Sequence, residues 1–104
     1  MPRESKRPRV LVADDVLSMA ETVADGLCDH GFEAIAVGSG DAAARRLREE
    51  DFDALVTDLR MPKVDGLELL RIARRRAPDM PVLVMTAYGA VDSAVEAIRL
   101  GAYH

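Results

Sequence analysis

Four short apolar runs, each followed by a stretch with helical spacing, constrain the fold of this chain more than any other feature of its sequence. These runs are residues 9–13, 32–37, 54–57 and 82–85. Their length suits buried strands, and the stretches between them are long enough for helices. Apolar strands that alternate with amphipathic helices are typical of a parallel sheet covered on both faces. The sequence therefore predicts an α/β fold in which a βα unit occurs four times.

The helices between these runs are predicted from apolar residues that recur three or four positions apart. The first is expected over residues 16–30, where Met19, Val23 and Leu27 share one face and Gly31 follows the last turn. The other three are expected over residues 42–50, 67–75 and 90–100, with Leu67, Leu70 and Ala73 inward in the third and Ala94, Val95 and Ile98 inward in the fourth.

Length and composition limit the chain to one small domain. Of its 104 residues, 49% are apolar and 31% are charged, which suits a core inside a soluble surface. We assign residues 9–104 to this domain and expect the polar residues 1–8, with two prolines, to be a disordered lead-in. No apolar run approaches the roughly 20 residues of a membrane helix, so we expect no membrane contact.

Charge and cysteine content narrow the partners and the compartment. The single cysteine, Cys28, excludes an internal disulfide and favours a reducing compartment, so we expect a cytoplasmic protein. We expect Cys28 itself to be a small, partly buried residue beside Leu27. A net charge of −4 gives no support for direct binding of nucleic acid. We interpret Arg74–Arg76 and His30 as helix ends, where positive charge complements the helix dipole.

Oxygen-bearing side chains follow three of the four predicted strands. Asp14 and Asp15 follow the first, Asp58 the third and Thr86 the fourth. The carboxyl ends of parallel strands meet at one edge of a sheet, where open α/β folds bind their ligands. Clustered carboxylates raise one another's pKa or require a cation, and Mg²⁺ with some retained water fits such oxygen ligands best. We expect Asp15, Asp58 and the backbone carbonyl of Arg60 to bind Mg²⁺ directly, with Asp14 acting mainly through water.

Asp58 is the candidate nucleophile of this site. A carboxylate can attack phosphorus and form an acyl phosphate, and such a transfer depends mostly on positioning and charge neutralisation. The hydroxyl of Thr86 and the backbone N–H of Ala87 are expected to donate to the phosphoryl oxygens. A lone aspartate or threonine at a strand end more often caps a helix or turn, so the interpretation depends on the whole set.

The motifs around these residues resemble those of response-regulator receiver domains. They are residues 12–15 (VADD), residues 58–66 (DLRMPKVDG) and residues 85–87 (MTA), and the resemblance extends from about Arg9 to the last residue. The stretch MTAYG at residues 85–89 is similar to receivers of the nitrogen-regulatory type. In those proteins an ATPase domain that activates sigma-54 polymerase and a DNA-binding domain usually follow.

This resemblance implies a flavodoxin-like (CheY-like) fold, Mg²⁺ dependence and phosphoryl transfer from the phosphohistidine of a sensor histidine kinase. It makes Asp58 the phosphoacceptor, Asp14 and Asp15 the acidic pair, and Thr86 the switch hydroxyl. Such a module catalyses only its own phosphorylation and dephosphorylation, so we do not expect an enzyme. The output domain, and with it transcription regulation, would lie elsewhere in a longer protein.

The family pattern has a fifth βα unit whose strand ends in a lysine that pairs with the phosphoryl group, and residues 1–104 match four units. Lys63 lies in the loop after Asp58 and cannot take that place, and Tyr103 falls before that strand would begin. We therefore expect a fragment of a longer protein, slow or weak phosphorylation, and a homodimer formed through the unpaired edge of the fourth strand.

Three other functions compete with this interpretation. Residues 38–43 (GSGDAA) match G-x-G-x-x-A between a strand and a helix, and an acid follows 18 residues later, as in dinucleotide-binding proteins. An aspartate-based phosphatase would need a second acid two residues after its nucleophile, where this chain has Arg60. A degenerate receiver would serve as an interaction or dimerisation module without phosphorylation.

Overall fold

Parallel strands form the centre of the structure, a computed structural model that describes residues 7–58 and 61–85. The sheet has the order β2-β1-β3-β4, and every pairing in it is parallel. The predicted strands are confirmed to within one residue at each end. Their bounds are Arg9–Ala13 (β1), Glu33–Val37 (β2), Ala54–Asp58 (β3) and Val82–Met85 (β4).

Three helices cover the two faces of this sheet. They are Leu17–Asp29 (α1), Gly40–Glu49 (α2) and Gly66–Arg76 (α3). The core on one face joins α1 to alternate residues of β1 and β3, and the core on the other face joins α2 and α3 to the residues between them. This arrangement confirms the predicted α/β sheet with helices on both faces. The predicted helix over residues 90–100 lies outside the described residues.

Local features explain where α2 and α3 begin and where α1 ends. The Ser39 hydroxyl accepts from the Ala42 N–H at the start of α2, and the Asp65 carboxylate accepts from the Glu68 N–H at the start of α3. Gly31 follows α1 with a φ of 93°, a conformation that glycine adopts readily and other residues rarely do. The predicted stop of α1 at this glycine is confirmed.

The faces of the helices were predicted less well than their bounds. In α1 the buried residues are Ala20, Val23, Ala24 and Leu27, whereas Met19 is 50% exposed. Met19 precedes Ala20 by one position, about 100° around the helix, and so falls outside the buried stripe. Cys28 is exposed for the same reason, since it follows the buried Leu27 by one position. Its predicted partial burial was wrong.

In α3 the same kind of error affects Leu67, which was predicted to face inward and is 49% exposed. The buried positions of this helix are Gly66, Leu69 and Ala73, and Leu70 is half-buried. The inner stripe of α3 therefore passes through Leu69, which the expected pattern left out.

Charged side chains cluster at the end of the sheet where β1 and β3 begin. The Arg9 guanidinium donates to Glu33 at 2.9 Å and to Glu50 at 2.8 Å, and it lies 4.8 Å from the centre of the Phe52 ring. These carboxylates, Glu50 first, raise the pKa of Arg9, and burial of the guanidinium opposes them. This cluster connects β1, β2 and the segment that follows α2.

In the part of the chain that the structure describes, β4 lies at the edge of the sheet and pairs with one strand, β3. The expected association of two copies through the other side of β4 remains a prediction. No helix of the described part is long and apolar enough to cross a membrane.

Candidate functional site

The register of the two central strands brings two aspartates side by side. Ala13 of β1 lies opposite Thr57 of β3. The residues that follow them, Asp14 and Asp58, therefore lie side by side at the carboxyl edge of the sheet. The Asp14 N–H donates to the Val37 carbonyl at 3.2 Å and so continues the ladder with β2. β1 lies between β2 and β3, and at this point the strand order changes direction. Open α/β sheets bind ligands at such a switch point.

A third carboxylate completes the cluster. Asp14, Asp15 and Asp58 each offer an oxygen, and these oxygens all lie within 4.8 Å of one another. Asp14 and Asp58 are half-buried, whereas Asp15 is exposed. The three aspartates that the sequence singles out are therefore brought together at the carboxyl edge of the sheet.

Burial and like charge both act on Asp14. Loss of hydration raises the pKa of its carboxyl above the usual value, and the negative charges of Asp58 and Asp15 raise it further. The Val16 N–H opposes this by donating to Asp14 Oδ1 at 2.9 Å. That bond forms a turn before α1, and the N-cap of the helix is Val16, which makes no side-chain capping bond. The simple capping explanation of Asp14 therefore does not hold.

The donor set of this cluster fits a hard divalent cation. Asp14, Asp15 and Asp58 each offer a carboxylate oxygen, and Mg²⁺ is the ion that binds such hard oxygen ligands while retaining several waters. Burial and, after it, repulsion from Asp58 and Asp15 raise the pKa of Asp14, and a bound cation would relieve the repulsion.

Thr57 belongs to the site and was not recognised from the sequence. It is fully buried, and its hydroxyl donates to the backbone carbonyl of Asp58 at 2.9 Å. This bond holds the peptide group that follows the candidate nucleophile. The sequence contained one indication of its role, since Thr57 is a hydroxyl residue at the end of an otherwise apolar run and directly precedes Asp58.

Apolar side chains lie exposed directly after the acidic pair. Val16 is 51% exposed, Leu17 47% and Met19 50%. Ser18 and Thr22 of the same helix are also exposed. Together these five residues, which we call the α1 surface, lie within the seven positions that follow Asp15 in the chain.

The loop between β3 and α3 packs closely on the start of α2. A β-carbon placed on Gly40 would lie 1.6 Å from the Val64 carbonyl oxygen. This contact explains the second glycine of the G-x-G-x-x-A match, because the space that a pyrophosphate would need is occupied by Val64. The dinucleotide interpretation loses its main support.

The remaining predicted site residues lie outside the described residues. They are Arg60, Thr86 and Ala87. Their roles stay predictions.

Comparison with known proteins agrees with this geometry. The family model described as response regulator receiver domain matches residues 10–104. The response regulator protein FleR of Pseudomonas aeruginosa is 47% identical over 94 residues, which are 90% of this chain and 20% of that protein. The transcriptional regulatory protein ZraR of Klebsiella oxytoca is 39% identical over 93 residues, which are 89% of this chain and 21% of that protein.

A solved structure shows the same fold. The solution structure of the beryllofluoride-activated NtrC4 receiver domain dimer is 34% identical, with a TM-score of 0.68, and the match covers 92% of this chain and 79% of that chain. The chain spans about a fifth of the length of the two curated relatives.

Proposed function

Since the chain belongs to the response regulator receiver domain family, we propose that it accepts a phosphoryl group on Asp58 from a sensor histidine kinase in a Mg²⁺-dependent reaction. The observation that carries this proposal is the cluster of three carboxylates within 4.8 Å at the carboxyl ends of β1 and β3. Asp58 lies at the end of a buried strand, with Asp14 and Asp15 beside it. There the three carboxylates would take part in binding Mg²⁺.

In the proposed reaction a carboxylate oxygen of Asp58 attacks the phosphorus of the phosphohistidine. The P–O bond forms as the P–N bond breaks, and the imidazole leaves with the electron pair of that bond. Bound Mg²⁺ would supply the positive charge that offsets the oxygens of the transferred group. Asp15 and Asp58 would hold the ion directly, with the predicted Arg60 carbonyl, and Asp14 would act mainly through water. The Thr57 hydroxyl, which donates to the Asp58 carbonyl at 2.9 Å, orients the peptide group after Asp58. Thr86 and Ala87 keep their predicted roles as donors to the phosphoryl group.

The test is phosphorylation by a small donor, acetyl phosphate or phosphoramidate, with and without Mg²⁺. Intact mass spectrometry should show the addition of one phosphoryl group that hydroxylamine removes, as expected of an acyl phosphate. Asp58→Asn should abolish it, whereas Asp25→Asn, which changes an exposed acid of α1, should leave it intact. Labelling of Asp58→Asn equal to wild type would overturn the proposal. Absence of labelling in wild type would favour the degenerate receiver.

The α1 surface would be the docking site of the kinase. Its exposed apolar residues follow the acidic pair that stands beside the phosphoacceptor Asp58, and burying them would supply part of the binding energy. Met19→Gln should slow transfer from autophosphorylated sensor kinases and leave labelling by acetyl phosphate unchanged. Leu67→Gln is the matched control, since Leu67 is 49% exposed on the other face of the sheet. Equal transfer rates for wild type and Met19→Gln across several kinases would contradict this assignment.

For the longer protein we propose a cytoplasmic regulator that transmits the phosphorylation signal to transcription. The similarity of the chain to FleR, a response regulator protein, and to ZraR, a transcriptional regulatory protein, supports this. An ATPase domain and a DNA-binding domain that follow the receiver would be the output. Sequencing the gene beyond residue 104 tests that organisation directly.

A further inference from the structure

Gly40, the first residue of α2, lies against the backbone of the loop that follows Asp58. A β-carbon at Gly40 would meet the Val64 carbonyl oxygen at 1.6 Å, the carbonyl carbon at 2.6 Å and the Val64 β-carbon at 2.9 Å. Two of these three atoms belong to the main chain, so rotation of a side chain cannot relieve the contact. A residue larger than glycine at this position requires the loop or the helix to move.

The loop has little freedom to move because other residues hold it. Met61 is buried in the core that contains α2 and α3, and the Asp65 carboxylate caps α3 through the Glu68 N–H. Lys63 adopts a φ of 65°, a left-handed conformation that is strained for a residue with a side chain. The segment from Met61 to Asp65 is thus fixed at both ends and turns sharply in between.

We propose that Gly40 is a positioning residue for the phosphoacceptor site, because its lack of a side chain allows residues 61–65 to lie against α2. This proposal rests on the proposed function. This segment begins three residues after Asp58, so a shift of residues 61–65 would be transmitted along the chain to the phosphoacceptor. Gly40 touches no carboxylate of the cluster in the described contacts and acts on the site through Val64.

The size of the expected effect follows from the distances. Contacts of real β-carbons essentially never fall below 3.0 Å. In Gly40→Ala the distance between the new β-carbon and the Val64 carbonyl oxygen must therefore increase from 1.6 Å by at least about 1.4 Å. Loss of groups that orient metal ligands weakens metal binding about 10- to 100-fold. We expect Gly40→Ala to raise the Kd for Mg²⁺ by about tenfold or more.

Gly31→Ala provides the matched control. Gly31 has a φ of 93°, so alanine is strained there, but a β-carbon would meet nothing within 4 Å. It lies between α1 and the start of β2, at the end of the sheet opposite the carboxylates. A purely structural role for Gly40 predicts that both variants lose stability and that both bind Mg²⁺ like wild type.

The experiment measures the Mg²⁺ Kd by isothermal titration calorimetry for wild type, Gly40→Ala and Gly31→Ala, at a temperature where urea unfolding shows each to be folded. Weaker binding in Gly40→Ala alone supports the proposal, and equal Kd values in the two variants overturn it. Absence of Mg²⁺ binding in wild type would instead contradict the metal-dependent function.

A measurement on wild type covers the case in which Gly40→Ala does not fold. In an NMR titration with Mg²⁺, the amide signals of Ser39, Gly40 and Asp41 should shift with the same midpoint as those of the carboxylate cluster. If the cluster signals shift and those three do not, α2 is not connected to the site and the proposal fails.

Discussion

Removing the charge of Asp14 should stabilise the metal-free domain. The three carboxylates lie within 4.8 Å of one another, and two unit charges at that distance repel by about 1 kcal/mol in water and about 3.5 kcal/mol at an effective dielectric constant of about 20. Asp14 is half-buried, so its repulsion from Asp58 falls in the lower part of this range. Asparagine keeps the oxygen that accepts from the Val16 N–H. We expect Asp14→Asn to raise the free energy of unfolding by about 1–2 kcal/mol at pH 7 and low salt.

The pH dependence of this gain follows from the raised pKa of Asp14. Between the unfolded value of about 4 and the higher folded value, the native state binds more protons than the unfolded state. The stability of wild type therefore falls as the pH rises through this window. The advantage of Asp14→Asn should be complete above the folded pKa and should shrink as the pH is lowered through it.

Urea unfolding followed by circular dichroism, with EDTA present, measures this effect. A gain of about 1 kcal/mol corresponds to about 4–8 °C in Tm for a domain of this size. Asp25→Asn is the control, since it removes an exposed acid of α1 that lies outside the cluster. Mg²⁺ should stabilise wild type more than Asp14→Asn. If Asp14→Asn were no more stable than wild type at pH 7, the claim that like charges strain this edge would be wrong.

Three further changes test the packing, the capping and the ionic cluster. Leu55→Ala empties a fully buried position of β3 and should cost about 2–5 kcal/mol in urea unfolding. Ser39→Ala removes the side-chain cap of α2 and should cost about 1 kcal/mol, with Ser39→Asp retaining most of it. Glu50→Gln should destabilise the domain at pH 7, because the hydrogen bond from Arg9 lowers the pKa of Glu50. A carboxyl with a lowered folded pKa stabilises above its unfolded value and loses that contribution as the pH falls through the folded value. The difference between Glu50→Gln and wild type should therefore vanish in acid, and a constant difference down to pH 3 would contradict the assignment.

The fold could be predicted from the sequence because the two central strands, β1 and β3, are buried on both faces. A run such as Val10, Leu11 and Val12 has no polar side to expose, and all three residues are fully buried between two layers of helices. The helices were harder to orient. Their apolar residues exceed what the core can hold, so Met19 and Leu67 fit a helical spacing and still face outward. Only the packing partner decides which of two adjacent apolar stripes is buried.

The candidate site was predictable for a related reason. Asp14 directly follows β1 and Asp58 ends β3, and parallel pairing brings strand ends to one edge regardless of the loops between them. The role of Gly40 was not predictable, since it depends on a contact with Val64, 24 positions along the chain. Its spacing with Gly38 suggested a phosphate loop instead. The contact became visible once the position of the loop after β3 was known.

The two ends of the sheet carry opposite arrangements of charge. At the amino end, Arg9 is paired with Glu33 and Glu50, so folding brings opposite charges together there. At the carboxyl end, Asp14 and Asp58 stand at one level beside Asp15, and folding brings like charges together. Carboxylates that repel one another in the metal-free protein are stabilised most by a bound cation, because the cation removes the repulsion that folding has created. The same carboxylates that make Asp14→Asn more stable are therefore those that would make wild type depend on Mg²⁺.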